Sequence, residues 1–217
     1  MRTVAVLPVK RFGAAKQRLG DRLTPGSRRA LAEAMMTDVL IALRRAQRVD
    51  AVVVVTGDVS AAAIASGYGA ESLPDPDDAG HSRAAARGVR WALAQGADRV
   101  LLVPGDTPAL DPVELDALLD AGDAAGVVVV PDRHGSGTNA LLLMPPDAIE
   151  PAFGPGSRAR HEALADAAGV AVRVEEVPTL VLDVDTGEDL GALRDALAAR
   201  TGGASHTRGL LARLGRR

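Results

Sequence analysis

Val100-Leu101-Leu102-Val103-Pro104-Gly105-Asp106-Thr107-Pro108 runs from four large aliphatic residues straight into a turn that carries a carboxylate. An unbroken apolar run suits a strand buried on both faces, as in a parallel sheet covered by helices, and the glycine with its two prolines turns the chain where that strand ends. Ligands of open α/β sheets bind at this carboxyl edge. Asp106 therefore either caps its own turn or reaches out to hold a metal, and turn chemistry alone leaves both open.

Around this strand the chain alternates regularly. Residues 3–9 read as a strand, followed by a basic loop, and Thr24-Pro25 supplies an N-cap with a first-turn proline for a helix over 24–47. Within it Leu31, Met35, Val39, Ala42, Leu43 and Ala46 fall at three- and four-residue spacing, which predicts a single face laid on a sheet. Strands are expected at 51–56 and 70–73, with helices at 58–66 and 82–94, the second ending at Gly96. Beyond Asp106, helices are expected at 111–121, 157–168 and 186–199, and strands at 127–130, 138–144, 170–174 and 180–182. Strands alternating with helices predict a doubly wound, Rossmann-like α/β fold with a mostly parallel central sheet. No linker interrupts residues 1–200, which read as one domain, and the Gly-rich basic stretch 201–217 reads as a solvated, frayed tail.

Composition narrows the function classes. The chain has 217 residues, 47% of them hydrophobic, and a net charge of −3, which fits an enzyme-sized globular domain and not a nucleic-acid-binding or disordered chain. With no cysteine there is no disulfide framework, thiolate metal site or cysteine nucleophile, which suits a reducing, cytoplasmic setting. No segment has the length of a membrane span, and aromatic residues at 2% argue against base stacking on an extended platform.

Four segments carry candidate chemistry. Lys10, Arg11, Lys16 and Arg18 crowd the loop after the first strand, where they either neutralise phosphate oxygens or form a solvated basic loop. That loop is neither a Walker A motif nor a Gly-x-Gly-x-x-Gly turn. Gly135-Ser136-Gly137-Thr138-Asn139 and Phe153-Gly154-Pro155-Gly156-Ser157 offer glycine-bracketed amides, the second just before a helix, as an anion site. Ser157 is there an N-cap, alone or together with a ligand. In Asp183-Val184-Asp185, strand geometry would turn both carboxylates to one cation, although Asp185 also stands where it could cap the following helix.

Taken together, Pro8-Val9-Lys10, Ala15-Lys16-Gln17-Arg18-Leu19, Gly105-Asp106-Thr107-Pro108-Ala109-Leu110, the Gly-Thr-Asn segment ending at Asn139, Phe153 to Ser157 with Arg160-His161, and Leu182 to Thr186 resemble the CofC/FbiD guanylyltransferases of coenzyme F-420 biosynthesis. The resemblance extends over nearly the whole chain up to the basic tail. It implies a three-layer nucleotidyltransferase fold and transfer of GMP from GTP to phosphoenolpyruvate or 2-phospho-L-lactate, with release of pyrophosphate. By the same resemblance Asp106, Asp183 and Asp185 would hold Mg²⁺, Thr138, Gly154 and Ser157 would bind the acid's carboxylate, and Pro8, Lys10, Lys16, Arg18 and Ser82 would face the nucleotide. Lys16, Arg18 and Asp106 would be the catalytic set. Where the family has Gly-Leu-Asn, this chain has Gly80-His81-Ser82. His161 also matches the family pattern, and its position within a helix predicts packing or support of the site. The partners implied are GTP and a phosphorylated three-carbon acid, without nucleic acid or membrane, and with a homodimer as the candidate assembly.

The chemistry agrees with the residue types. A phosphate nucleophile with a second pKa near ~6 is already ionised at neutral pH and needs no protein base. Two other readings compete: a nucleotidyltransferase acting on a pterin cofactor or sugar alcohol, and a non-catalytic nucleotide-binding module. The Ala- and Arg-rich composition, like that of bacterial members of the family, favours phosphoenolpyruvate as the acid.

Overall fold

A computed structural model describes residues 1–121 and 126–215. Seven strands, β1 (Thr3–Val9), β2 (Ala51–Thr56), β3 (Glu71–Pro74), β4 (Arg99–Leu102), β5 (Gly126–Pro131), β6 (Thr138–Met144) and β7 (Val172–Val174), form one sheet in the order β3-β2-β1-β4-β6-β5-β7. Every pairing is parallel except those of β6, which runs antiparallel to β4 and β5. The chain lays β2 and β3 on one side of β1 and then returns to place β4 on the other. Such a reversal opens a crevice at the carboxyl ends of the two central strands. Because β6 is antiparallel, its first residues, Thr138 and Asn139, arrive at the same edge as the carboxyl end of β4.

The described residues form seven α-helices: α1 (Pro25–Arg45), α2 (Val59–Gly67), α3 (His81–Ala94), α4 (Pro112–Ala121), α5 (Ser157–Ala167), α6 (Gly187–Ala198) and α7 (Ser205–Leu214). Strand periodicity sorts the core. Ala5, Leu7, Val52, Val54 and Leu101 face α1, α2 and α4, whereas Val4, Val6, Val53, Val55, Val100 and Leu102 face α3 and α5. The result is a three-layer α/β fold, with α6 and α7 packed outside α1.

That outer packing changes the reading of α1. The stripe expected to lie on the sheet is divided: Val39, Ala42, Leu43 and Ala46 meet it, while Leu31 and Met35 turn outward to Leu190, Leu193, Leu210 and Leu211 of α6 and α7. A helix with apolar residues on two faces packs between two layers. The same contact corrects the frayed tail, since residues 205–214 are helical. The buried carboxylate of Asp38 on α1 accepts the first amides of α7, His206 N at 3.1 Å and Thr207 N at 2.7 Å. Arg216 and Arg217, the end of the expected tail, lie outside the described residues. No helix among the described residues is long and apolar enough to cross a membrane.

Close packing of α3 on the sheet depends on Gly88. A Cβ there would stand 2.2 Å from Cγ1 of the fully buried Val6. A stiff β-branched neighbour cannot swing aside, so Gly88→Ala is expected to lose about 1–3 kcal/mol by overpacking. Denaturant unfolding measures it, and unchanged stability would mean that α3 stands farther from β1 than described.

Candidate active site

The crevice is a cavity of about 470 Å³ walled by the ends of β1 and β4, the start of β6, the 153–157 loop and the 183–185 segment. One of its cations, the Lys16 side chain, is buried. The loop after β1 folds into two short 3-10 turns, and between them Lys16 takes a left-handed backbone, φ 57° and ψ 36°. Few non-glycine residues adopt that conformation, and strain of this kind gathers at functional sites. The loop is pinned from behind: Phe12 N–H donates to Asp58 Oδ2 at 2.9 Å, while Asp58 Oδ1 caps α2 through Ser60 N and Ala61 N.

From this loop Lys16 Nζ donates to Asp106 Oδ2 and, at 3.0 Å, to Asp185 Oδ1. Burial works to lower the lysine's pKa, but the charges of Asp106 and Asp185 outweigh it and hold the pKa above its ordinary value, so the group is an ammonium. Asp106 thus faces across the cavity to another segment instead of closing its own turn. Asp185 is not the cap of α6 either. Thr186 caps that helix, its Oγ1 accepting from Asp189 N at 3.2 Å while Asp189 Oδ2 accepts from Thr186 N at 2.6 Å and Asp185 N at 3.0 Å.

Asp183 joins them by a route the sequence did not reveal. No strand forms at 180–182, and residues 182–185 are irregular. Asn139 Nδ2 at the start of β6 captures Leu180 O at 2.7 Å, taking up the carbonyl that a strand would have paired, and reaches Asp183 Oδ1 at 3.3 Å. The carboxyl pKa of Asp183 is raised to about 6, first by burial and then by the charges of Asp106 and Asp185. Two carboxylates thus share one ammonium, and the third, Asp183, feels the charges of both. Such surplus negative charge suits a further hard cation with oxygen ligands, although among the described residues no three acidic or imidazole groups already form a metal cluster.

The 153–157 loop forms another part of the cavity wall. Gly154 (φ 112°) and Gly156 (φ 69°) take conformations that favour glycine, and Gly156 is the N-cap of α5. Ser157 is therefore not the cap. It lies inside the first turn, buried, with its amide donating to Gly154 O at 3.0 Å, and it lines the cavity. The other glycine-bracketed segment is not an open anion site, because Asp132 Oδ1 already accepts Ser136 N and Gly137 N, both at 3.0 Å. Thr138 beside it lines the cavity and meets His161 Nδ1 at 3.0 Å.

Pro8, Lys10 and Arg18 also line the cavity, with Lys10 and Arg18 exposed. Ser82 does not; its neighbour His81, the first residue of α3, does. His81 and His161 stand edge-to-face on either side of Phe153, at ring-centroid distances of 4.7 and 5.2 Å. Burial lowers both imidazole pKa values to about 4, with Lys10 adding to the effect at His81 and Arg160 at His161, so neither ring is charged at neutral pH. Sequence reasoning passed over His81 because a lone histidine near a loop has no partner spacing to flag it.

Comparison with known proteins agrees with this architecture. The family model described as "Guanylyl transferase CofC like" matches residues 3–215. A phosphoenolpyruvate guanylyltransferase from Conexibacter woesei is 57% identical over 216 residues, covering 99% of this chain and 97% of the relative. A 2-phospho-L-lactate guanylyltransferase from Methanothermobacter thermautotrophicus is 36% identical over 193 residues, covering 89% and 84%. Among solved structures, a nucleotidyl transferase from the same Methanothermobacter species superposes with a TM-score of 0.65 at 22% identity, covering 92% of this chain and 99% of the other.

Proposed function

The chain belongs to the CofC-like guanylyltransferase family, and from that premise we propose that it transfers GMP from GTP to phosphoenolpyruvate, giving enolpyruvyl-diphospho-guanosine and pyrophosphate in coenzyme F-420 biosynthesis, in the cytoplasm. The observation that carries this reading is the meeting of Asp106 and Asp185 on Lys16 in a cavity that Asp183, Thr138, Gly154 and Ser157 also line. The phosphate oxygen of the acid attacks the α-phosphorus of GTP, a new P–O–P bond forms, and the bond to the β-phosphate oxygen breaks to release pyrophosphate. The nucleophile is already ionised, so no protein group need take a proton. Catalysis then consists of positioning and charge stabilisation.

Each group has a role its geometry supports. Lys16, fixed by its left-handed backbone, holds its ammonium against charge growing on the α-phosphate and the departing oxygen, and Lys10 and Arg18 at the cavity rim attract the triphosphate. Asp106, Asp183 and Asp185 would hold Mg²⁺, which when bound neutralises phosphate oxygens and stabilises the leaving pyrophosphate. Thr138, Gly154 and Ser157 would take the carboxylate of the acid, with the Ser157 hydroxyl as a donor because its amide is already given to Gly154 O, and with the N-terminal end of the α5 dipole favouring an anion there.

Phosphoenolpyruvate is favoured over 2-phospho-L-lactate by the 57% identity to the Conexibacter enzyme, against 36% to the Methanothermobacter one. Ser157→Ala tests the acid subsite. It is expected to raise KM for the acid about 10-fold, the scale of one hydrogen bond to a charged group, and to leave KM for GTP within about 2-fold. Equal rises for both substrates would make Ser157 a structural residue of α5.

A further inference from the structure

The two walls of the acid subsite come from distant parts of the chain, and one imidazole joins them. His161 projects from α5 with no solvent exposure. Its Nε2 meets Ala152 N at 2.9 Å, and its Nδ1 meets Thr138 Oγ1 at 3.0 Å. A backbone amide can only donate, so Nε2 must present a lone pair, and in a neutral ring the proton then resides on Nδ1. Nδ1–H donates to the Thr138 hydroxyl. Among the described residues that hydroxyl has no other hydrogen-bond partner, so its own proton remains for a group inside the cavity that Thr138 lines.

We propose that His161 is a positioning residue: held in the Nδ1–H tautomer by Ala152, it commits the Thr138 hydroxyl to donate its proton toward the carboxylate of the phosphorylated acid. The proposal rests on reading Thr138, Gly154 and Ser157 as the acid subsite. Without His161 the hydroxyl is free to rotate and to turn its lone pairs to the anion, so acid binding weakens while the nucleotide side of the cavity is untouched. Arg160 beside it anchors the same loop from outside, its guanidinium donating to Ala152 O, Phe153 O and Pro155 O. The loop therefore has a second support besides the Ala152 N–His161 Nε2 bond, whereas the hydroxyl orientation depends on His161.

The test combines spectroscopy with a two-residue cycle. ¹⁵N NMR of the intact ligand-free protein is expected to show His161 protonated at Nδ1 and bare at Nε2; a proton on Nε2 overturns the proposal whatever the kinetics. Thr138→Val is expected to raise KM for phosphoenolpyruvate about 10-fold or more, and His161→Phe to raise it by less, each leaving KM for GTP within about 2-fold. The double variant should stay close to Thr138→Val alone, since His161 acts on the acid through that hydroxyl and Arg160 still holds the loop when the Ala152 bond is lost. Multiplying effects, or equal rises in both KM values for His161→Phe, reduce His161 to a packing residue and overturn the proposal. If Thr138→Val transfers GMP with an unchanged acid KM, the acid-subsite reading fails and takes the proposal with it, even with the Nδ1–H tautomer observed.

Discussion

Asp106→Asn is expected to give a folded protein whose turnover is at least ~10²-fold below the parent, the scale of losing one preorganised electrostatic contact. Asparagine keeps the size and shape of aspartate, so the turn from Pro104 to Leu110 has no steric reason to move. The charge is what disappears. Asp106 lies at the carboxyl end of β4, faces Lys16 across the cavity, and contributes to the raised pKa of Asp183. The substitution therefore removes one of the three carboxylates proposed to hold Mg²⁺ and loosens the hold on the ammonium. Turnover is measured at saturating GTP and acid, with thermal unfolding alongside. Turnover equal to the parent's in a folded Asn variant would remove Asp106 from the catalytic set.

The second large effect is expected at Lys16. Lys16→Met keeps the aliphatic stem and removes the charge, leaving Asp106, Asp183 and Asp185 to face one another without a cation. Turnover is expected to fall about 10²–10³-fold, because the ammonium, held by Asp106 and Asp185, is the cation proposed to meet the negative charge that develops on the phosphates. A diagnostic companion is stability in the absence of divalent cations. The variant is expected to melt below the parent and to gain more than the parent from added Mg²⁺, since mutual repulsion of the carboxylates is then relieved by the ion. A variant that melts like the parent without Mg²⁺ would mean that the three carboxylates do not repel one another as described.

Much of the fold was legible, and the failures have physical causes. The strands at Thr3–Val9, Ala51–Thr56 and Thr138–Met144 could be read directly, because buried strands are uninterrupted apolar or β-branched runs between turn residues. Periodicity identifies a helix but not its neighbours, and so the stripe on α1 was assigned wholly to the sheet although Leu31 and Met35 pack outward. The same gap hid α7. A Gly-rich basic segment looks solvated until Asp38, 168 positions from His206 along the chain, is seen capping it.

The site divides along the same line. Asp106 stood out because its strand and turn are local signals, and Asp183 and Asp185 were flagged by their spacing. The strand expected around those two carboxylates does not exist, since their placement comes from Asn139 bonding Leu180 and from the capping box of Thr186 and Asp189. Ser157 was read as a cap, but the left-handed Gly156 takes that position and leaves the serine within the first turn. The Gly135–Gly137 amides looked free for an anion, yet Asp132, three residues before Gly135, had already claimed two of the segment's amides. The link from His161 to Thr138 spans 23 residues and belongs to tertiary structure alone.

The most direct test of the account is pyrophosphate release from GTP and Mg²⁺, with phosphoenolpyruvate and 2-phospho-L-lactate supplied separately and the nucleotide product identified by mass. Release with phosphoenolpyruvate, at a kcat/KM above that for 2-phospho-L-lactate and with enolpyruvyl-diphospho-guanosine as the product, is the predicted result. No release with either acid, from folded protein that binds GTP, would contradict it.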